Sequence, residues 1–407
     1  MKKIISCIII FICVFCLVGC KDLSYKTLKP SVFRFQSDGT YEVIFSTASN
    51  SKDDKLCLKV PEKFEGKRVT KLGEIIDPSG LIRKVEISKN ITQIAEYSLR
   101  TLPNLEKIEV SRSNKKYTSL GGILYSKNKE ELILCPIKIE GSLSISKNLK
   151  VIRENAFKNV EGLLSIKLPS SVTTIGEHAF DNCPRLMSFD FGKSSKVTKI
   201  SDYMFANCLS LQTITLPSSI VSIGKYAFSN CKSLKNIVVD EPNIEEIGDY
   251  AFEFCESFEE LTIPYSVKTI GENAFRFCKF KKVIFPEESQ LETIKTFAFY
   301  MCENLNEIII PDSTKKIEER CFSYCGLKLV KLSNNLSIIE EGVFTDCSRL
   351  KEVYLPNSIT KVYKSAFYSC YRLETIYYNG TPEQWDEIVF VGNNDDYFNE
   401  KKVKFIN

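Results

Sequence analysis

The sequence predicts a solenoid: stacked coils of short strands, turns and one-turn helices, covered at both ends. Three observations predict it. First, phenylalanine followed three residues later by cysteine recurs at Phe180/Cys183, Phe205/Cys208, Phe228/Cys231, Phe252/Cys255, Phe275/Cys278, Phe299/Cys302, Phe322/Cys325, Phe344/Cys347 and Phe367/Cys370. Phe157 opens the series, with Val160 in place of the cysteine. Second, consecutive members are 22 to 25 residues apart, a period at which one structural unit stacks on the next. Third, each unit repeats a short apolar/polar alternation such as Leu211-Gln212-Thr213-Ile214-Thr215-Leu216, the signature of a strand with one buried face.

Along the chain, residues 1–19 read as a targeting signal. Lys2 and Lys3 form a basic start, and 4–18 is an uncharged stretch, IISCIIIFICVFCLV. That is too short for a membrane span of about 20 residues but suits the apolar part of a signal peptide. It ends in Leu17-Val18-Gly19-Cys20, which resembles the lipobox of bacterial lipoproteins. The resemblance implies cleavage before Cys20 and lipidation of its thiol, so that the acyl chains hold the protein at a membrane.

Residues 20–55 are expected to form the anchor, a linker and an N-terminal cap. Within them, 32–45 shows two extended runs around Asp38-Gly39, a strong hairpin signal. The solenoid is expected over 56–380. Leu58, Val60, Val69 and Leu72 belong to a degenerate first repeat, and 85–98 gives a second. A hairpin excursion about 111–138 carries Gly121-Gly122, which lacks the lysine and serine or threonine of a phosphate loop.

One regular coil shows the plan. Leu211 to Leu216 is the strand, and Pro217 ends it because proline donates no hydrogen bond to the ladder. Ile220 and Ile223 point inward across a second short extended piece. Gly224 allows a bend, and Ala227-Phe228 with Cys231 begins a helical turn leading to Leu234. Such a unit cannot bury its apolar face alone, so stacking is expected to make one continuous core. Residues 381–407 are the expected C-terminal cap: Thr381-Pro382-Glu383-Gln384 combines a capping box with proline at the first helical position, and Trp385 and Ile388 follow.

The string LPSSVTTIGEHAFDNCPRL, residues 168–186, resembles the repeat of the BspA-like leucine-rich-repeat surface proteins. Residues 117–136, YTSLGGILYSKNKEELILCP, are similar to that family's hairpin excursion, and 376–388, IYYNGTPEQWDEI, to its closing segment. Lys295, Glu318, Glu340 and Tyr363 depart from the pattern by replacing the bend glycine, and Cys321 replaces the alanine. The resemblance implies a leucine-rich-repeat solenoid without enzymatic activity. It also implies a lipid anchor in the cell envelope, at the outer membrane or cell surface, and a role in adhesion. The partner would be an extracellular or host protein, such as a matrix protein, or a component of a neighbouring cell's surface. A non-adhesive envelope scaffold is the alternative; a carbohydrate-binding accessory or an unrecognised hydrolase is more remote.

Composition narrows the chemistry. With 55 basic against 51 acidic residues, bulk electrostatics gives no support for nucleic-acid binding. One histidine, His178, leaves most catalytic triads and histidine metal sites without members. No catalytic residue, metal or cofactor is expected. Of the 16 cysteines, Cys7, Cys13 and Cys16 lie in the segment expected to be removed. The column cysteines should sit ~5 Å apart in adjacent coils with parallel Cβ directions, whereas a disulfide needs converging Cβ atoms about 3.5–4.5 Å apart. Free thiols packed as small apolar groups are therefore expected.

Strand residues that do not enter the core should form a continuous outer face. Its later coils add isoleucine and tyrosine to polar positions. The candidate ligand-binding face is Lys282, Ile284, Glu307, Ile309, Lys331, Glu352, Tyr354, Thr375 and Tyr377. Exposed aromatics flanked by polar residues are the usual anchors of an interface.

Overall fold

The computed structural model describes residues 25–47, 55–143, 145–239, 243–392 and 402–406. Cys20 and the segment before it lie outside the described residues. The chain winds into stacked coils, and neighbouring coils are tied together by up to three sets of backbone hydrogen bonds; the front and rear strand ladders are each interrupted, the front at Asp190/Thr213 and Val239/Glu260 and the rear at Ile175/Lys199 and Ile317/Ile338.

The front ladder consists of the alternating strands. Glu140–Leu143, Gly162–Lys167 and Ser188–Asp190 pair in parallel, as do Thr213–Leu216 and Asn236–Val239. A longer sheet then runs from Glu260–Thr262 through five further strands to Val403–Phe405. Register matches equivalent positions, for example Val330 with Val353 and Val353 with Ile376, so one pleat face enters the core in every coil. The rear ladder is made of two-residue strands such as Ser222–Ile223, Glu246–Ile247 and Thr269–Ile270, again parallel.

The third ladder replaces the expected one-turn helices. Around Ala227-Phe228 the chain makes two tight turns, with Tyr226 at φ 52° and Asn230 at φ 60°. The Tyr226, Phe228 and Asn230 amides donate to the carbonyls of Asp249, Ala251 and Glu253 at 3.0, 2.8 and 2.7 Å. An α-helix would direct those amides to carbonyls four residues back in its own coil. Alternating handedness turns them along the stack instead. Left-handed backbone costs a non-glycine residue roughly 1–2 kcal/mol, which the inter-coil hydrogen bonds offset. Asparagine, the non-glycine residue that tolerates this conformation best, stands there at 155, 159, 182, 207, 230 and 273. Among the described residues the only α-helix is Pro382–Asp386.

Inside the coils the phenylalanine column forms a stack of rings. Centroids of Phe228, Phe252, Phe275 and Phe299 follow one another at 5.2, 5.3 and 5.3 Å, with nearly parallel planes from Phe228 to Phe275. The cysteines beside them are free and buried. Each of the nine column thiols donates to the phenylalanine carbonyl of the coil before: Cys231 Sγ reaches Phe205 O at 3.1 Å and Cys255 Sγ reaches Phe228 O at 3.2 Å. The same carbonyl also accepts an amide of its own coil, as Phe205 O does from Cys208 at 3.2 Å. The thiol thus fills a small apolar space and satisfies the carbonyl's second lone pair, which alanine would leave bare.

The expectation of a single continuous core is corrected. Two apolar clusters are present, one over 28–134 and one over 123–388, overlapping in sequence at the hairpin excursion. There Tyr117–Leu120 and Ile123–Ser126 pair antiparallel, and Glu131–Leu134 continues the sheet into the rear ladder. Ile123 and Tyr125 belong to the second cluster and Leu124 to the first. A strand alternates its side chains between faces, so the excursion is a wall with a core on either side.

The bend glycines serve close approach rather than unusual dihedrals. A Cβ on Gly271 would lie 2.5 Å from the carbonyl carbon of Gly248, and one on Gly248 would lie 2.8 Å from that of Gly224. Lys295, Glu318, Glu340 and Tyr363 occupy this place in later coils, half-buried. Gly271→Ala must therefore force two coils apart, with an expected loss of about 1–3 kcal/mol. Urea unfolding checks this; a midpoint unchanged from the parent would refute the close-packing account.

Both ends are covered. Val32–Phe35 and Tyr41–Ser46 form the hairpin expected around Asp38-Gly39, with Gly39 at φ 79°. At the other end the Thr381 hydroxyl accepts from the Gln384 amide, and the Gln384 side chain accepts from the Thr381 amide. This capping box starts the short helix that lays Trp385 over the last coil, where Tyr378 meets its ring edge-on at 5.3 Å.

Candidate binding face

The front ladder places all nine sequence-selected residues on one outer surface, in two rows. Lys282, Glu307, Glu352 and Thr375 form the first row, with Leu329 between Glu307 and Glu352. Ile309, Lys331, Tyr354 and Tyr377 follow one another in the second, and Ile284 stands in the corresponding place on its own strand. Alternation is the cause: Val283, Ile308, Val330, Val353 and Ile376 between them are buried.

The rows differ in chemistry. Lys282 Nζ lies 3.7 Å from Glu307 Oε1, both roughly half-exposed, a pair worth at most about 1 kcal/mol. In the second row Ile309 is 54 % exposed, the most open apolar side chain of the set. Tyr354 and Tyr377 stack with centroids 4.5 Å apart and planes 17° from parallel. Lys404 Nζ approaches the Tyr377 ring to 5.6 Å. Desolvation raises the Tyr354 pKa, and neighbouring Glu352 and Tyr377 raise it further, so its hydroxyl is a proton donor at neutral pH. Because the rings stack, each hides one face of the other and leaves its edge, its hydroxyl and its outer face toward partners.

Sequence reading missed Lys404, which reaches this face only because Val403–Phe405 pairs with Thr375–Asn379. It also missed an aromatic line at the turn edge. His178, Tyr203, Tyr226 and Tyr250 stack at 4.4, 4.7 and 4.5 Å. The available signal was their constant place two residues before each core phenylalanine. His178 Nδ1 lies 2.9 Å from Asp181 Oδ2, which also meets Lys158 Nζ at 2.8 Å. Among the described residues no group of three or more His, Cys, Asp and Glu side chains is placed to hold a metal ion. No helix there is long and apolar enough to cross a membrane.

With coil and face established, the chain can be set beside known proteins. A family model described as a BspA type leucine rich repeat region matches in 6 copies, over residues 74–132, 135–197, 193–290 and 273–395. The chain belongs to the BspA-type leucine-rich-repeat family. Among solved structures, a leucine-rich repeat protein from Bacteroides ovatus ATCC 8483 is similar at 22% identity and a TM-score of 0.61, covering 93% of this chain and 99% of that one. The pneumococcal vaccine antigen PcpA is similar at 19% identity and a TM-score of 0.51, covering 96% and 97%. A leucine rich cell surface protein from Faecalibacterium prausnitzii A2-165 follows at 21% identity and a TM-score of 0.40, covering 91% and 97%. No curated protein matches the chain. Likeness at such identities establishes the fold. In this chain the Phe and Cys columns are the coil interior, and the front ladder presents the outer face.

Proposed function

We propose that this BspA-type protein is an exported lipoprotein, anchored through Cys20, that binds extracellular proteins at the cell surface in adhesion. The observation that carries the binding part is the stacked Tyr354–Tyr377 pair on the outer sheet surface, flanked by Lys331, Glu352 and Lys404. Two rigid aromatic side chains with polar neighbours supply contact area at little entropic cost, as interface anchors do. Export and anchoring rest on the apolar segment 4–18 and the lipobox-like ending at Cys20.

Tyr354→Ala with Tyr377→Ala is expected to weaken capture of immobilised matrix proteins or partner cells at least tenfold. These residues are half-buried on the surface, so the midpoint of thermal unfolding should fall only slightly. Antibody labelling of unpermeabilised cells tests surface display in parallel. Full capture by the double variant would remove the face from the proposal, and unlabelled intact cells would remove adhesion.

A further inference from the structure

The front ladder has one wide opening. Asn236–Val239 pairs with Thr213–Leu216 on one side, and Glu260–Thr262 pairs with Lys282–Ile284 on the other. Between Asn236–Val239 and Glu260–Thr262 there is no strand pairing. Their Cα atoms stand mostly more than 8 Å apart, against the about 4.8 Å of paired neighbours. Ser188–Asp190 and Thr213–Leu216 are also unpaired but remain close. The other two ladders cross the wide opening intact: Ser222–Ile223 pairs with Glu246–Ile247, and the Phe228 amide meets Ala251 O at 2.8 Å. The coils are therefore closed at the rear and at the turn edge and spread at the front.

The spread reaches the core. Ile237 and Val239 are half-exposed, whereas their counterparts Ile214 and Leu216, one coil earlier, are fully buried. A cavity of about 140 Å³ opens there, its apolar lining including Ile237, Val239, Phe252, Phe258 and Leu261. That is room for one aliphatic side chain. Lys235 and Glu260 stand on its rim with opposite charges.

We propose that this opening binds an extended polypeptide segment of a partner protein, which adds as a strand between the two free edges and seats one apolar side chain in the cavity. Two facing strand edges present alternating amides and carbonyls, and only another extended backbone supplies complementary groups at that spacing. Neither a glycan nor a lipid repeats donors and acceptors in that order. The apolar floor selects a branched aliphatic residue at the centre, and the charged rim accommodates polar residues beside it. The site lies on other strands than the Tyr354–Tyr377 pair and stands without the adhesion proposal.

The test uses the mature chain and a fluorescent peptide, acetyl-Leu-Gln-Thr-Ile-Thr-Leu-amide, which copies residues 211–216. Expected results are saturable binding below millimolar concentration and slowed amide exchange confined to 236–239 and 260–263. N-methylation of alternate peptide amides, or exchange of the peptide's isoleucine for aspartate, should weaken binding at least tenfold. Ile237→Asp, at a half-exposed position, should do the same with far-ultraviolet circular dichroism unchanged. Tyr354→Ala with Tyr377→Ala should bind the peptide normally, which separates failure of this site from failure of the outer face. Absence of binding up to about 1 mM, or binding indifferent to N-methylation, overturns the proposal. Concentration-dependent dimers that the peptide dissociates would overturn it in favour of a second copy of this chain.

Discussion

Phe252→Ala is expected to cost about 3–5 kcal/mol and to split the cooperative unfolding of the solenoid. Phe252 is 1 % exposed and lies between Phe228 and Phe275 at 5.2 and 5.3 Å. It also lines the opening where the front ladder has no strand pairing. The contact across the Val239/Glu260 opening thus lacks one of three hydrogen-bond sets, so the ring stack carries a larger share there. In a quasi-one-dimensional array, stability is a sum of coil and neighbour terms, and cooperativity fails where a weak neighbour term loses a further contribution. Trp385 is the only tryptophan and sits in the C-terminal cap. Urea unfolding followed by its fluorescence and by circular dichroism should give coincident transitions for the parent and separate ones for Phe252→Ala. Phe299→Ala, where both strand ladders are continuous on either side, is expected to lose similar stability but keep the transitions together. Coincident curves for Phe252→Ala would refute the weak-neighbour account.

Native column thiols are expected to react with an alkylating reagent at pH 8 at least about a thousandfold more slowly than the same thiols in urea. Burial pushes the Cys208 and Cys370 pKa values up to about 12 and that of Cys231 well above the ordinary thiol value. With an unfolded pKa of about 8.5, roughly a quarter of free thiols ionise at pH 8, against about one in ten thousand at a pKa of 12. Exclusion of the reagent adds to that factor. The linkage has a definite sign. The folded state keeps protons that the unfolded chain releases, so this stabilising difference is complete below about pH 8.5 and declines as pH rises toward 12. Alkaline unfolding should therefore set in above that point, and the thiol count in urea without reductant should include all nine column cysteines. A count short by pairs would show disulfides and overturn the free-thiol column.

Much of this was legible in the residues. A 22- to 25-residue recurrence of Phe and Cys is a one-dimensional signal, and in a solenoid the sequence period and the spatial period coincide. Strand alternation then places Tyr354 and Tyr377 outward and Val353 and Ile376 inward without any coordinates. The capping box at Thr381 and the Asp38-Gly39 turn are local chemistry, complete within a few residues. Free column thiols followed from the spacing of stacked coils alone.

Other features depended on how coils meet. The turns at Tyr226 and Asn230 could not be told from a helical turn, because their amides find partners in the next coil and not in their own. Gly248 and Gly271 looked like bend residues, although each is small because another backbone lies against it. The division into two cores at Ile123 and Leu124 depends on which side of the hairpin each neighbour packs. The opening beside Ile237 leaves no mark on the alternation of Asn236–Val239, which reads like any other strand. Sequence determined the repeat and the facing of its side chains, since those are properties of one coil; tertiary structure decided contact, closure and exposure, since those belong to pairs of coils.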